Sequence, residues 1–151
     1  MKVGKLKGRF LVDTNVLIYA TLAQDPRHEP ALEVLGRGRA DGCEAFVSAQ
    51  NLAEMYPNLT GPKTNPPDTP EVAGKRSPRS VAYIFSRWPV TYAVTVKALE
   101  LCARYNVRRQ GYFDMQLAAT ALLSEVPTIV TENVQDFTLV EGLSVVNPFE
   151  G

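Results

Sequence analysis

Histidine and cysteine are scarce in this 151-residue chain, which has one histidine and two cysteines. His28 lies in an expected loop and has no histidine partner, so we exclude a histidine-based acid–base mechanism. Cys43 and Cys102 are too few for a disulfide scaffold, and we expect both to be reduced, packed side chains. The chain also lacks a glycine-rich phosphate cradle of the P-loop or GxGxxG type.

Long apolar runs and net charge are lacking too. No stretch approaches the roughly 20 apolar residues that a membrane-spanning helix needs. The basic N-terminus precedes an apolar run that Asp13 and Asn15 interrupt, which makes a poor signal peptide. We therefore expect a cytoplasmic protein with no membrane partner. Sixteen basic and sixteen acidic residues cancel, so net charge argues neither for nor against a nucleic-acid partner.

Short apolar runs alternate with helical patterns along the chain. The predicted strands lie at 10–12, at 45–47, around 90, at 128–131 and at 144–146. The predicted helices lie at 14–23, 30–39, 49–56, 80–87, 95–105 and 114–124. This alternation predicts βαβ units and an α/β fold with a mostly parallel sheet.

The length favours one domain over residues 1–151. Residues 1–9 are predicted to form a basic N-terminal tail, because Lys2, Lys5, Lys7 and Arg9 occur there without an acidic residue. Residues 57–78 hold six prolines and two glycines, so we predict a loop or exposed excursion there. Neither flank of that segment is large enough to be a separate domain.

Acidic residues occur where parallel strands are predicted to end. Asp13 ends the first strand, Glu54 lies on the helix after the second, and Asp114 lies in the first turn of an alanine-rich helix. Asn133 and Asp136 follow the 128–131 strand. Singly, these residues are typical of helix caps, solvated helix faces and polar turns. Gathered at one sheet edge, the carboxylates would repel one another and favour a hard divalent cation such as Mg²⁺ or Mn²⁺.

Four motifs around these acids resemble those of PIN-domain nucleases, most closely the VapC-like toxins. They read DTNVLIYA at 13–20, SAQNLAEMY at 48–56, FDMQLAATAL at 113–122 and TENVQDF at 131–137. Each motif is weak alone, but together they occur in family order over nearly the whole chain. The resemblance implies a three-layer α/β/α sandwich with a mostly parallel central sheet. It also implies Mg²⁺- or Mn²⁺-dependent endonucleolytic hydrolysis of RNA.

The resemblance assigns roles to individual residues. Four acids match the catalytic and metal-binding positions of the family: Asp13, Glu54, Asp114 and Asp136. Four polar residues match supporting positions: Thr14, Asn15, Thr131 and Asn133. Family members carry an acid at the position of Asn133, of Asp136 or of both, and in this chain we favour Asp136 as the fourth acid.

Basic residues near these motifs are candidates for contacting RNA phosphates. They are Lys75, Arg76, Arg108 and Arg109. The alternative for all four is an ordinary solubilising surface charge. For partners, the resemblance implies an RNA substrate, a cognate antitoxin protein and a homodimer.

Three other interpretations stay open at this point. The neutral Asn133 allows a catalytically weak or inactive module that binds RNA or protein. A different phosphoryl-transfer protein, such as a receiver-like phosphoacceptor using Asp13, is disfavoured by the absence of an acidic pair at the first strand. The third interpretation is a purely structural subunit whose apolar surface binds a partner.

Overall fold

The computed structural model describes residues 3–82, 84 and 86–150, and all of the following elements lie within these residues. The strands are β1 Gly8–Val12, β2 Cys43–Ser48, β3 Ser86–Trp88, β4 Thr128–Val130 and β5 Ser144–Val146. The helices are α1 Thr14–Tyr19, α2 His28–Arg37, α3 Ala49–Leu59, α4 Pro70–Ser80, α5 Tyr92–Tyr105 and α6 Tyr112–Leu123. Short 3₁₀ helices span Val3–Lys5, Arg109–Gly111 and Val134–Asp136.

The strands form one sheet in the order β3-β2-β1-β4-β5, and every neighbouring pair is parallel. The chain passes from β1 to β2 on one side and later returns to β4 on the other. The carboxyl end of β1 therefore lies at a point where the strand order reverses, which is where open α/β sheets bind ligands. Asp13 follows β1 directly at this point.

Alternate residues of β1 supply two separate cores. Phe10 and Val12 pack in a cluster with buried side chains of α1, α2, α3 and α4. Leu11 packs in a second cluster with buried side chains of α5 and α6. Because strand side chains alternate between the two faces of a sheet, helices cover both faces. The predicted three-layer α/β/α sandwich with a parallel sheet is confirmed.

The proline-rich segment differs from its prediction. Residues 57–59 complete α3, residues 70–80 form α4, and only 60–69 are irregular. Thr69 caps α4, its hydroxyl accepting from the backbone N–H of Val72 at 3.3 Å, and Pro70 occupies the first turn. Proline is tolerated there because its missing N–H would be unsatisfied anyway. Ala73 is fully buried in the core and Ser77 is buried as well, so one side of α4 packs against the core while most of its other residues are exposed.

Two further predictions are wrong. The helix expected at 80–87 is absent, because α4 ends at Ser80 and β3 begins at Ser86, with Tyr83 and Phe85 outside the described residues. The third strand lies at Ser86–Trp88 rather than around Val90.

The N-terminal segment is packed rather than a free tail. Val3 and Leu6 are buried in the core, and the Leu6 carbonyl accepts from Arg37 Nε at 2.7 Å. Arg9 already lies in β1, whereas Lys2 falls outside the described residues. The basic residues at this end therefore alternate with apolar ones that anchor the segment.

No helix of the described residues combines the length and apolar character that crossing a bilayer requires.

Candidate active site

Asp13 is held by hydrogen bonds at the end of β1. Its Oδ1 accepts from the Thr14 backbone N–H at 2.7 Å, so Asp13 caps α1 as predicted. Its Oδ2 accepts from the Thr131 hydroxyl at 2.8 Å and from Asn15 Nδ2 at 3.4 Å. The side chain is only 8% exposed. Thr14, Asn15 and Thr131, which the sequence placed in supporting positions, all contact the first acid.

Asn15 and Thr131 also join α1 to the turn after β4. Asn15 Nδ2 donates to Thr131 Oγ1 at 3.1 Å, and Asn15 Oδ1 accepts from the Glu132 backbone N–H at 3.1 Å. Thr131 Oγ1 further accepts from the Asn133 backbone N–H at 3.0 Å. The hydroxyl proton of Thr131 is thereby directed at Asp13. The network fixes the Asp13 carboxylate relative to the segment that carries Asn133 and Asp136.

Glu54 is oriented by glutamines that the sequence interpretation did not single out. Gln50, one turn earlier on α3, donates from Nε2 to Glu54 Oε1 at 2.6 Å and to the Phe113 carbonyl at 2.8 Å. Its Oε1 accepts from Gln116 Nε2 at 2.9 Å, and Tyr112 donates to Gln116 Oε1 at 2.9 Å. This chain of amides ties α3 to α6, which carries Asp114. Residues four apart lie on one face of a helix, so the spacing of Gln50 and Glu54 could have predicted their contact from the sequence.

Asp114 lies in the first turn of α6, which begins after Gly111. No described residue donates a hydrogen bond to its carboxylate, so Asp114 does not act as a cap there. Asp136 ends the 3₁₀ helix Val134–Asp136 and is exposed. Asp13 and Glu54 each accept hydrogen bonds from neighbouring side chains, whereas no described side chain donates to the carboxylate of Asp114 or Asp136.

The four acids share one electrostatic environment. Burial, followed by the negative charges of Asp136, Asp13 and Glu54, raises the pKa of Asp114 to about 7. Burial also raises the pKa of Asp13, against the Thr131 and Thr14 hydrogen bonds that lower it and together with the charge of Asp136. The pKa of Glu54 is raised by burial and by the charge of Asp13, against the Gln50 hydrogen bond. Acids from four separate segments are therefore close enough to repel one another.

An open cleft of about 500 Å³ lies against these residues. Asp13, Glu54 and Asp114 line it, together with Asn133. Thr14 and Asn15 line it as well, while Asp136 stands outside the lining and acts on the cleft through its charge. The structure thus brings three of the predicted acids into one cleft and leaves the fourth beside it.

A clamp of charged residues forms one wall of the cleft and was missed in the sequence. Arg27 donates from Nε and Nη2 to the two Asp25 carboxylate oxygens, both at 2.9 Å. Its Nη1 donates to Glu132 Oε1 at 2.8 Å and to the Tyr19 hydroxyl at 2.7 Å. The Arg27 hydrogen bonds lower the pKa of Asp25. The clamp binds the α1–α2 loop to the turn after β4.

The four basic residues predicted to contact RNA lie outside the cleft lining. On α4, Lys75 pairs with Glu71 at 3.0 Å and Arg76 pairs with Asp68 at 3.3 Å. Arg108 and Arg109 are exposed just before α6. Neither of these two forms an ion pair with a described residue. Their contact with RNA stays a prediction.

The donor chemistry of the cleft fits a hard divalent cation. Asp13, Glu54 and Asp114 offer carboxylate oxygens, and Asn133 adds an amide oxygen at the same cleft. The pKa of Asp114 is raised first by burial and then by the negative charges of Asp136, Asp13 and Glu54, charges that a bound cation would offset. Within 3–82, 84 and 86–150, no three acidic, histidine or cysteine side chains approach closely enough to hold a metal by themselves. Mg²⁺ commonly keeps several water ligands and needs only one or two carboxylates, so the two findings are compatible.

Comparison with known proteins agrees with this geometry. The family model of the PIN domain matches residues 10–142. Ribonuclease VapC24 of Mycobacterium tuberculosis is 31% identical over 138 residues, covering 84% of this chain and 88% of that protein.

Two solved structures share the fold. The VapBC2 complex of Rickettsia felis, bound to a DNA fragment from its promoter, aligns with a TM-score of 0.66 at 18% identity, covering 92% of this chain and 98% of the matched chain. VapC20 of Mycobacterium tuberculosis, a sarcin-ricin loop cleaving toxin, aligns with a TM-score of 0.62 at 18% identity, covering 80% and 86%. The match to the family model and the 31% identity to a curated relative together establish that the chain belongs to the PIN domain family.

Proposed function

We propose that this PIN domain is an endoribonuclease that hydrolyses RNA phosphodiester bonds with Mg²⁺ or Mn²⁺, as the toxin of a toxin–antitoxin pair. The observation that carries the proposal is the acidic cleft, where burial together with carboxylates from three other chain segments raises the pKa of Asp114 to about 7. The relative at 31% identity is named a ribonuclease, which supports RNA as the substrate class.

The proposed direct ligands of the cation are Asp13 and Asp114, and Glu54 and Asp136 would complete the site, partly through water. A divalent cation held there would supply an activated water and neutralise charge on the phosphodiester. Thr131 and the Thr14 backbone N–H orient the Asp13 carboxylate and favour its charged form, against the burial that raises the pKa of Asp13.

Gln50 performs the same task for Glu54. Its amide donates to Glu54 while its carbonyl accepts from Gln116 on α6, so the distance between α3 and α6 is set by side-chain amides. Asn133 lines the cleft with an uncharged side chain at a position where some members of the family carry an acid, and we propose that its amide contacts water or the cation.

The test is cleavage of structured RNAs by the purified chain with Mg²⁺ or Mn²⁺. We expect cleavage with either cation, no cleavage in EDTA, and a loss of at least about 100-fold in Asp114→Asn because a charged contact to the cation is removed. Asp41→Asn, at an exposed acid on the turn before β2, is the matched control and should cleave normally. Products are expected to carry 5′-phosphate and 3′-hydroxyl ends, since water is the nucleophile.

RNA binding without cleavage would instead favour an inactive binding module, the interpretation that Asn133 keeps open. Equal activity of Asp114→Asn and the wild-type chain would contradict the assignment of the cleft as the active site.

We also propose an antitoxin partner and a homodimer. The solved neighbours include toxin–antitoxin complexes, one described as such from Klebsiella pneumoniae. Co-expression with the product of the adjacent short reading frame should yield a complex that no longer cleaves RNA. Analytical ultracentrifugation of the isolated chain tests the dimer, and a monomer at micromolar concentration would contradict it.

A further inference from the structure

Two basic side chains, Arg27 and Lys63, line the acidic cleft. The charge of Arg27 is already paired, since its guanidinium forms ion pairs with Asp25 at 2.9 Å and with Glu132 at 2.8 Å. Lys63 is exposed and forms no ion pair with any residue that the structure describes. Among the described residues that line the cleft, Lys63 is therefore the basic side chain that no ion pair neutralises.

The backbone around Lys63 is fixed although its side chain is exposed. The buried Thr64 hydroxyl donates to the Asn58 carbonyl at 2.8 Å, which fastens the loop to the end of α3. Five residues past Lys63, the Asp68 backbone N–H donates to the last turn of α3 at 2.7 Å. The Asp68 carboxylate pairs with Arg76 on α4 at 3.3 Å, without the geometry of a hydrogen bond. Lys63 therefore projects from a loop that is anchored on both sides.

The charge balance of the cleft explains what such a lysine would bind. Asp13, Glu54 and Asp114 repel an anionic RNA strand, even when one divalent cation offsets part of their charge. A strand entering the cleft carries one phosphate per nucleotide, and those next to the scissile phosphate need a cation of their own. A lysine ammonium suits this purpose because it binds phosphate as a point charge.

We propose that Lys63 binds a phosphate of the RNA strand adjacent to the scissile phosphodiester, an inference that rests on the proposed ribonuclease function. The loop 60–69 presents this cation at the cleft, and the ion pair of Arg76 with Asp68 holds the loop in place. The proline-rich segment thus contributes a substrate contact through Lys63.

Lys7 provides a matched control. It is an exposed lysine whose loss changes the net charge equally, but it lies just before β1, at the opposite end of that strand from Asp13, and outside the cleft lining. Comparing Lys63→Gln with Lys7→Gln therefore separates a local phosphate contact from a general effect of charge.

The first experiment measures binding. Both substitutions are made in the full chain carrying Asp114→Asn, which is expected not to cleave, and binding of a fluorescein-labelled single-stranded RNA is followed by anisotropy in Mg²⁺ over a range of KCl concentrations. Loss of one phosphate contact reduces the slope of log K against log salt by about 0.7, which corresponds to about 5-fold weaker binding at about 0.1 M salt. We expect both effects in Lys63→Gln and neither in Lys7→Gln.

The second experiment measures cleavage by the chain with Asp114 intact. We expect Lys63→Gln to raise KM about 5-fold with kcat within about 2-fold, because a neighbouring phosphate is bound alike in the ground and transition states. Lys63→Arg, which keeps the charge, should restore the KM and the salt dependence of binding.

Equal changes in the two glutamine variants would overturn the role of Lys63, as would a fall in kcat without a change in KM. Either result leaves the proposed function intact if the wild-type chain still cleaves RNA in Mg²⁺. Absence of both cleavage and binding by the wild-type chain would remove the proposed function and, with it, this inference.

Discussion

Asp114→Asn is expected to make the metal-free protein more stable at pH 8, although it removes a native side chain. In the folded chain burial and three neighbouring acids raise the pKa of Asp114 from an ordinary 3.8 to about 7. The protonated carboxyl therefore contributes stability that is fully present below about pH 4 and is lost as the pH rises towards 7. Above pH 7 the folded protein must hold an ionised carboxylate among other acids, and asparagine removes that charge at similar size.

The magnitude follows from the two pKa values. The difference between about 7 and 3.8 corresponds to an upper bound of about 4 kcal/mol in the free energy of unfolding at pH 8. Asp114 lines an open cleft and is only half-buried, so solvent screening reduces the effect, and we expect about 1–2 kcal/mol. For a domain of this size, that gain raises Tm by roughly 2–8 °C.

The assay is urea denaturation in EDTA at pH 5 and pH 8, followed by circular dichroism. We expect Asp114→Asn to exceed the wild type at pH 8 and the difference to shrink at pH 5. Asp41→Asn, at an exposed acid away from the cleft, is expected to follow the wild type at both pH values. The measurement needs neither RNA nor metal, so it tests the convergence of the acids independently of activity.

The reasoning is refuted if Asp114→Asn is less stable than the wild type at pH 8. In that case the ionised carboxylate would stabilise the fold, for example through the dipole at the start of α6. Equal stability of the variant and the wild type at both pH values would also refute it, because burial and the neighbouring acids would then not disfavour the charge of Asp114.

The other predictions concern the side chains that hold the site. Thr131→Val removes a donor to Asp13 and should weaken Mg²⁺ binding about 10-fold or more by calorimetry. Gln50→Leu frees Glu54 and should reduce kcat for RNA cleavage by about 10-fold, with an unchanged circular dichroism spectrum. Arg27→Leu should lower the free energy of unfolding by about 1 kcal/mol, and the loss should shrink at about 1 M KCl because salt screens ion pairs.

Each of these predictions has a matched control. Thr131→Ser keeps the hydroxyl and should bind Mg²⁺ normally, so equal weakening of both variants would contradict a role for the donor. Gln24→Leu, at an exposed glutamine, should leave kcat unchanged. Arg104→Leu breaks an ion pair with Glu141 between exposed side chains. If Arg104→Leu lowers the free energy of unfolding as much as Arg27→Leu does, the ion pairs of Arg27 stabilise the fold no more than an ordinary surface ion pair.

The sheet and the edge that carries the acids could be predicted because they depend on local patterns. The apolar run that ends at Asp13 predicts the first strand, which is found, and Asp13 caps the helix that follows it. The helix predicted at 49–56 is also found, and Ser48 caps it in a capping box with Asn51. Since parallel strands end at a common edge, the approach of Asp13, Glu54 and Asp114 followed from the order of elements alone.

The remaining features could not be predicted because they depend on contacts between distant segments. The prolines of 57–78 favoured a loop over α4. Pro70 lies in the first turn of that helix, where proline is tolerated, but Pro78 lies inside it. The burial of Ala73 against the core depends on segments far away in the sequence. The Arg27 clamp joins residues 105 positions apart. Nothing local to Arg27 or Glu132 distinguishes them from surface charges, which explains why the wall of the cleft was missed.

The wide spacing of the paired residues has a consequence for synthesis. Asp13 is translated 118 residues before Thr131, the side chain that donates to its Oδ2. β1 likewise cannot pair with β4 until Ile129 and Val130 have been added. During translation, Asp13 therefore waits without this donor and without one of its neighbouring strands until β4 and the turn after it exist.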